Sequence, residues 1–340
     1  MSRALHIHRA GPGMSVQDQG RPGWLDQGLS QGGAADPLAL AEGAALLGQN
    51  PGCAAIEMAG SGGIFEATGA DLRIALSGAP MQASIEGEPV AWNASHMLHT
   101  GQRLSIGGAR RGNYGYLHLG GGVATPPLLG SRSSHLAAGL GRLLAAGDEV
   151  PVGEDAGGTG TGMTLDVADR FSGGTVRIVP SVQTDRFARK DLERFEATAF
   201  QRDPRSNRMG IRLAFQGAPF AARDQLNVLS EVIVPGDIQV TGAGLPFVLL
   251  GECQTTGGYP RIATVVPADM PTVAQAAVGA TVRFSFVSRE QALAQHRVAM
   301  AALRALPTAL RPLVRDPRDM RDLLSYQLID GVISGREEQE

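Results

Sequence analysis

The clearest pattern along the chain is a glycine followed three residues later by an apolar residue that opens an alternating run. It occurs as Gly101-Gln102-Arg103-Leu104-Ser105-Ile106, as Gly147-Asp148-Glu149-Val150-Pro151-Val152, and as Gly279-Ala280-Thr281-Val282-Arg283-Phe284. Alternation after a turn is the signature of a half-buried strand. Short apolar runs between glycine- or proline-rich punctuation predict further strands over 5–9, 72–76, 114–119, 176–179, 247–250 and 262–266. Helices are few. Asp36-Pro37 opens one, with Asp as the cap and Pro in the first turn, running to Gly48. A second is expected over 184–195, with Phe187, Leu192 and Phe195 on one face. A third starts at Ser288, where Ser288 and Gln291 make an S-x-x-Q capping box, and runs to about Leu306. Beyond Pro307, Pro312 and Pro317, an apolar helix with Leu323, Leu324 and Leu328 and a disordered charged tail are expected.

Composition sharpens this into a fold class. Glycine supplies 46 of 340 residues, about twice its usual share of ~7%. With 20 prolines, the chain reads as mainly β, many short elements joined by tight turns in a closed or sandwiched architecture. The glycine-rich stretch 153–162 reads as a flexible linker rather than a phosphate loop, since no clear strand and helix flank it. The domains expected are 1–158 and 172–290, followed by a helical extension over 291–340. A weak internal echo, Ser15-Val16-Gln17-Asp18 against Ser181-Val182-Gln183-Thr184-Asp185, suggests that the two β units are related.

Charge and single-residue counts exclude several functions. A net charge of −3 gives no reason to expect nucleic acid or an anionic membrane as partner. Lys190 is the only lysine, set in Ala188-Arg189-Lys190-Asp191-Leu192, so a P-loop, a Schiff-base amine and a biotin-carrier lysine all lack their residue here. ATP or biotin chemistry would have to draw those parts from another chain. Two cysteines make no disulfide scaffold, the N-terminus opens no apolar leader, and no run of about 18 apolar residues exists to span a membrane. A soluble, cytoplasmic protein is expected.

The densest polar cluster is Gln254-Thr255-Thr256-Gly257-Gly258-Tyr259-Pro260. Gly257 and Gly258 can bring backbone N–H groups close to a ligand, and Gln254, Thr255 and Tyr259 add neutral donors and acceptors suited to an amide or ureido group. A tight hairpin with a buried Tyr259 is the equal alternative. Asp18 and Arg21, three apart around a glycine, read either as a structural pair or as a proton acceptor beside a carboxylate-binding guanidinium. Asp36 reads as a helix cap. Gln239, in Pro235-Gly236-Asp237-Ile238-Gln239, stands at a turn-to-strand transition. No G-x-S-x-G elbow is present, and the histidines, His6 with His8 and His96 with His99, lack acidic or thiol companions at metal-ligand spacing, so no metal is expected.

Six segments in order resemble the biotin-dependent carboxyltransferase-type family. They are Ser15-Val16-Gln17-Asp18 with Gly20-Arg21, Gly32-Gly33 with Asp36-Pro37, Leu129-Gly130-Ser131-Arg132-Ser133, Asn207-Arg208-Met209-Gly210-Ile211-Arg212-Leu213, Pro235-Gly236 with Ile238-Gln239, and the Gln254–Pro260 run. The family includes the C-type component of 5-oxoprolinase, the second subunit of allophanate-hydrolase-like proteins, the carboxyltransferase domain of urea carboxylase, and an antagonist of a sporulation-kinase inhibitor. The resemblance covers about residues 5–295. It departs at Ala35, where many members have Met, at Glu42, where many have Asn, and after Val240, where a proline is usual.

The resemblance implies two cyclophilin-like β-barrel domains and an intracellular subunit working with a smaller subunit-B-like partner and a subunit-A-like protein. It implies ATP-dependent opening of the 5-oxoproline lactam to L-glutamate, with ATP used in the complex. Its alternatives are carboxyl transfer from biotin on another chain to a urea-like amide, or non-catalytic regulation. On the lactam reading Gln239, Gln254 and Tyr259 orient the amide and the Gly257 and Gly258 N–H groups face the developing oxyanion. Asp18 is then the candidate base, and Arg21 or Arg208 the anion clamp.

Overall fold

Strand alternation and glycine punctuation build two β units, in a computed structural model that describes residues 3–156, 160–223 and 229–314. In the first unit two sheets enclose one core. The six-stranded sheet runs in the order Glu149–Pro151, Ala4–Arg9, Ile64–Thr68, Arg103–Ala109, Met81–Ile85, Glu88–Pro89. The facing sheet runs Ser15–Gln17, Ala55–Ala59, Tyr114–Leu119, Leu72–Gly78, Ala94–Leu98, Met163–Thr164, Arg311–Pro312. Leu5, Ile7, Phe65, Ile74, Leu98, Leu104, Ile106 and Leu117 fill the space between them. All three glycine-led runs found in the sequence are strands: Arg103–Ala109, Glu149–Pro151 and Thr281–Phe286.

The second unit is a closed barrel of seven strands, in the order Gly174–Val179, Arg261–Val265, Asp237–Val240, Pro246–Leu249, Gly210–Ala214, Phe200–Arg202, Thr281–Phe286. Its first and last strands pair in parallel, Val176 against Phe284, and this closes the ring. Phe195, Phe200, Phe220 and Phe284 pack at its centre, with the Phe195 and Phe284 rings stacked 5.1 Å apart. Clustered aromatics bury large apolar area per residue, which suits a small barrel.

Four α-helices lie among the described residues. Helix α1 (Pro37–Leu46) has the expected cap: the Asp36 carboxylate accepts from the Leu38 and Ala39 N–H groups, each at 3.1 Å. It lies on the second sheet so closely that a Cβ at Gly43 would fall 2.1 Å from the His118 ring, so only glycine fits. The helix expected over 184–195 divides. Thr184–Arg186 is a 3-10 turn, Phe187 and Ala188 are extended, and α2 (Arg189–Ala197) follows. Phe187 leaves the helical path because its side chain joins the barrel core. Short α3 (Met270–Gln275) precedes the last barrel strand, and α4 (Arg289–Ala305) starts with the capping box that Ser288 and Gln291 predict.

Two expectations change. The stretch 153–162 is held where it is described: Arg73, buried in the second sheet, donates to both Asp155 oxygens at 2.8 and 2.6 Å and to the Gly160 carbonyl at 3.0 Å. A guanidinium taken out of water requires such partners, and it draws the linker onto the sheet. After α4 the chain returns to the first unit, where Arg311–Pro312 pairs with Met163–Thr164. The apolar helix expected around Leu323, Leu324 and Leu328 lies outside the described residues, as does the charged tail. No helix among the described residues is long and apolar enough to cross a membrane.

Candidate functional site between the two β units

The seam between the units is polar and buried. Glu57 stands in the apolar strand Ala55–Ala59 with no solvent exposure. One of its oxygens accepts from the Tyr116 hydroxyl at 2.7 Å and the Ala35 N–H at 2.8 Å, and the other accepts from Arg208 of the barrel unit. Arg208 also donates to Glu252 and to the Gly33 carbonyl, each at 2.5 Å. Tyr116 accepts in turn from the Asp36 N–H at 2.8 Å. Asp36 meets Arg170 at 2.7 Å and Gln275 at 2.8 Å, and Arg170 grips Glu42 with two bonds of 2.9 and 2.7 Å. One hydrogen-bonded line thus runs from Glu42 to Glu252 and ties the units together. Burial and the nearby carboxylates hold the Tyr116 phenol well above its usual range. Burial pushes Glu42 up to about 7 against the pull of Arg170.

Asp18 and Arg21 are fixed parts of this region rather than free reagents. One Asp18 oxygen accepts from the Gly20 N–H at 2.8 Å and from the Ser131 and Ser133 hydroxyls at 2.6 Å, and the other accepts from the Arg132 N–H at 2.6 Å. Four donors occupy most of the lone-pair directions of one carboxylate, so the geometry is that of an anchor rather than of the proton acceptor expected at Asp18. Arg21, 1% exposed, donates to the Ser133 and Leu128 carbonyls and makes no ion pair with Asp18 among the described residues. Together they clamp the serine-rich loop. Burial lowers Arg21, with Asp18 and Glu252 the acids that oppose this. Arg208, expected as an anion clamp, has its fork committed to Glu57, Glu252 and Gly33.

The Gln254–Pro260 segment lies on the outside of the barrel, where Thr256–Gly257 pairs with Glu231–Val232. Gln254 is exposed, and Tyr259 is 50% exposed rather than buried in a hairpin. Neither Gly257 nor Gly258 has a positive φ. The backbone at 257 lies close against Gln239, since a Cβ there would meet its side-chain nitrogen at 2.7 Å. Gln239 is 6% exposed and its Nε2 has no hydrogen-bond partner. A buried amide donor without an acceptor is uncommon and marks a place where a ligand oxygen or a water can complete the bonding. Beside it Arg261 pairs with Glu231 and lies 3.4 Å from Asp237, and Gln183 bonds Glu231 at 2.8 Å.

Two cavities flank the seam. The first, about 510 Å³, opens between the units and is lined by Tyr114, Arg202, Arg208, Glu252, Met209 and Val278 among others. The second, about 770 Å³, lies between α1 and α4 with Asp18, Gln19 and Gln31 at one end. Arg208 therefore faces one cavity and Asp18 the other, while Gln239, Gln254, Gly257, Gly258 and Tyr259 line neither. The residues singled out from the sequence are not gathered in a single cleft. Glu57, Tyr114, Arg202 and Glu252 join the site from the fold alone. A lone acid in Ala55-Ile56-Glu57-Met58-Ala59 is the sequence signal for the first; nothing distinguishes Arg202 among 29 arginines.

Comparison with known proteins agrees with this architecture. The chain is 35% identical over 294 residues to the C-type component of 5-oxoprolinase from Escherichia coli (strain K12), covering 85% of this chain and 93% of that protein. It is 34% identical over 282 residues to the corresponding 5-oxoprolinase component of Haemophilus influenzae, covering 82% and 89%. Among solved structures, TTHA0988 superposes with a TM-score of 0.76 at 28% identity, over 84% of this chain and 56% of that one. The Kluyveromyces lactis urea amidolyase shares the fold, with a TM-score of 0.80 at 22% identity over 92% of this chain and 21% of that one. The family described as carboxyltransferase domain, subdomain A and B, matches residues 27–286. The chain belongs to that carboxyltransferase-domain family.

Proposed function

We propose that this chain is the C-type component of an ATP-dependent complex that opens the lactam of 5-oxoproline to L-glutamate. The observation that carries the reading is the match along 93% of the E. coli 5-oxoprolinase component, which leaves little of that protein without a counterpart. The chemistry of the Gln254–Pro260 face supports it. Gln239 holds an unpaired, buried amide N–H suited to a lactam carbonyl, Gly257 is the residue that lets backbone lie against it, and Gln254 and Tyr259 stand exposed alongside. In this reading Gln239 orients the amide and the Gly257 and Gly258 N–H groups face the oxyanion. Arg208 ties the two units together, and Asp18 and Arg21 clamp the serine-rich loop.

The residues present do not fit the phosphates of ATP. The only lysine, Lys190, is exposed on α2, and the described parts of the glycine-rich stretch are tied to Arg73 instead of forming a strand–loop–helix cradle. In this reading the nucleotide is held by a subunit-A-like or smaller subunit-B-like partner, and no step of this chain is routed through it. The test is reconstitution with those partners. Gln239→Ala and Tyr259→Phe should lower ATP-coupled 5-oxoproline turnover, Gln239→Ala by on the order of 10²-fold if its amide donates to developing charge. Unchanged turnover in both variants refutes the site.

The family match favours one second reading, transfer of a carboxyl group from biotin carried on another chain to an amide. Avidin inhibition of the reconstituted complex separates the two, since lactam opening without biotin is indifferent to it.

A further inference from the structure

Taking arginine out of water demands compensation, and this chain compensates most of its buried arginines with acids. Arg73 has Asp155, Arg170 has Asp36 and Glu42, Arg208 has Glu57 and Glu252, and Arg261 has Glu231 and Asp237. Arg202 and Arg21 are buried without an ion pair among the described residues. Arg21 is sealed in by the serine-rich loop. Arg202 is not: it is 6% exposed and lines the 510 Å³ cleft between the units. One of its terminal nitrogens is anchored to the Ala274 and Ala276 carbonyls, at 2.7 and 3.2 Å, which fixes the guanidinium without neutralising it.

We propose that this cleft is a binding site for a small monocarboxylate, with Arg202 as its cationic donor. The Tyr114 phenol lies beside Arg202, held high by burial against the pull of that cation, and so offers a neutral hydroxyl at the same place. Leu136, Leu143, Met209 and Val278 give the cleft apolar walls for a ring or short aliphatic body. The other charges limit the ligand to one negative charge. Glu252 lines the same cleft and Arg208 is already committed to it and to Glu57, so a polyphosphate would meet that carboxylate with only Arg202 to offset its charge. The volume lies within the usual range for small-molecule sites. This site is separate from the amide face around Gln239 and does not depend on lactam opening.

The test uses the full chain and a matched pair of probes, cyclopentanecarboxylate and cyclopentylmethanol, titrated by saturation-transfer difference NMR. The carboxylate should bind more tightly than the alcohol. Arg202→Gln should weaken the carboxylate roughly 10- to 100-fold, the usual worth of a hydrogen bond to a charged group, and leave the alcohol unaffected. Because Arg202 also anchors two carbonyls, a second variant guards against misfolding. Val278→Trp, at an exposed rim position, should close the cleft and abolish carboxylate binding while leaving the thermal unfolding midpoint unchanged. Equal binding of the two probes, or carboxylate affinity untouched by either variant, overturns the proposal. Turnover in the reconstituted complex is read separately. A wild-type complex that binds the probe but opens no lactam supports this site and refutes only the lactam function.

Discussion

Arg208 is the residue whose loss the structure evaluates most directly. It is the one cation between Glu57, with no exposure, and Glu252, at 3%, and it joins residues of both β units. Arg208→Met removes the guanidinium, keeps much of its stem's volume, and strands two carboxylates in a low-dielectric seam. Breaking a buried pair by deleting one partner costs about 3–5 kcal/mol. The acids keep some donors, Tyr116 and Ala35 for Glu57, Leu136 and Ala137 for Glu252, which argues for the lower half of that range at pH 8. The midpoint should fall by about 5 °C.

The cost has a pH signature. In the variant each stranded acid carries an uncompensated buried charge that protonation would remove. Its protonated form then binds the folded state better, so the variant gains relative stability as pH falls towards the unfolded carboxylate range and loses it as pH rises. Urea unfolding followed by circular dichroism at pH 8 and pH 5 should show the gap to wild type narrowing at the lower pH. The triple variant Arg208→Met, Glu57→Gln, Glu252→Gln should recover most of the loss, because neutral amides leave no stranded charge. A loss below about 1 kcal/mol at pH 8, or one independent of pH, would show that the seam is not held by this cation.

Two further perturbations probe other parts of the fold. His118 is fully buried beneath α1, with Nε2 2.9 Å from the Ser77 hydroxyl and Nδ1 unpartnered, and burial pushes it down to about 3. With its folded pKa below the usual 6.5, the unfolded state binds more protons in between, so wild-type stability should fall as pH drops from about 6.5 towards 3, and His118→Gln should flatten that slope in urea titrations. Gly257→Ala places a methyl 2.7 Å from Gln239 Nε2 and 3.0 Å from Ile233 Cδ1, and should cost about 1–3 kcal/mol by overpacking, read as a shift in denaturation midpoint; no shift would mean that Gln239 yields freely.

How much of the fold is legible in the sequence depends on whether the deciding interaction is local. Asp36-Pro37 and Ser288-x-x-Gln291 specify helix starts through bonds reaching two or three residues, and both helices begin there. Alternation exposes the strands with one face towards a core, such as Arg103–Ala109. It misses Ala55–Ala59 and recognises only the approach to Asp237–Val240, both almost wholly buried, because a strand covered on both faces has no polar face to alternate with. At Phe187 the helical spacing of aromatics is real, but the ring packs into the barrel core and the backbone there is extended.

The site is less legible for the same physical reason carried further. Asp18 and Arg21 look like an adjacent acid and base in sequence, yet the groups that define Asp18 come from 113 to 115 residues away, two serine hydroxyls and a backbone N–H that convert a candidate base into a saturated anchor. Arg208 changes from a free clamp to a bolt through partners 44 and 151 residues distant. A motif specifies which polar groups are present; only the fold specifies how many of their bonding directions remain open. By that measure Gln239, an amide donor without an acceptor, and Arg202, a cation at a cleft without an ion pair among the described residues, are two groups with unmet capacity. Chemistry that requires a substrate to complete the bonding should be sought at those two.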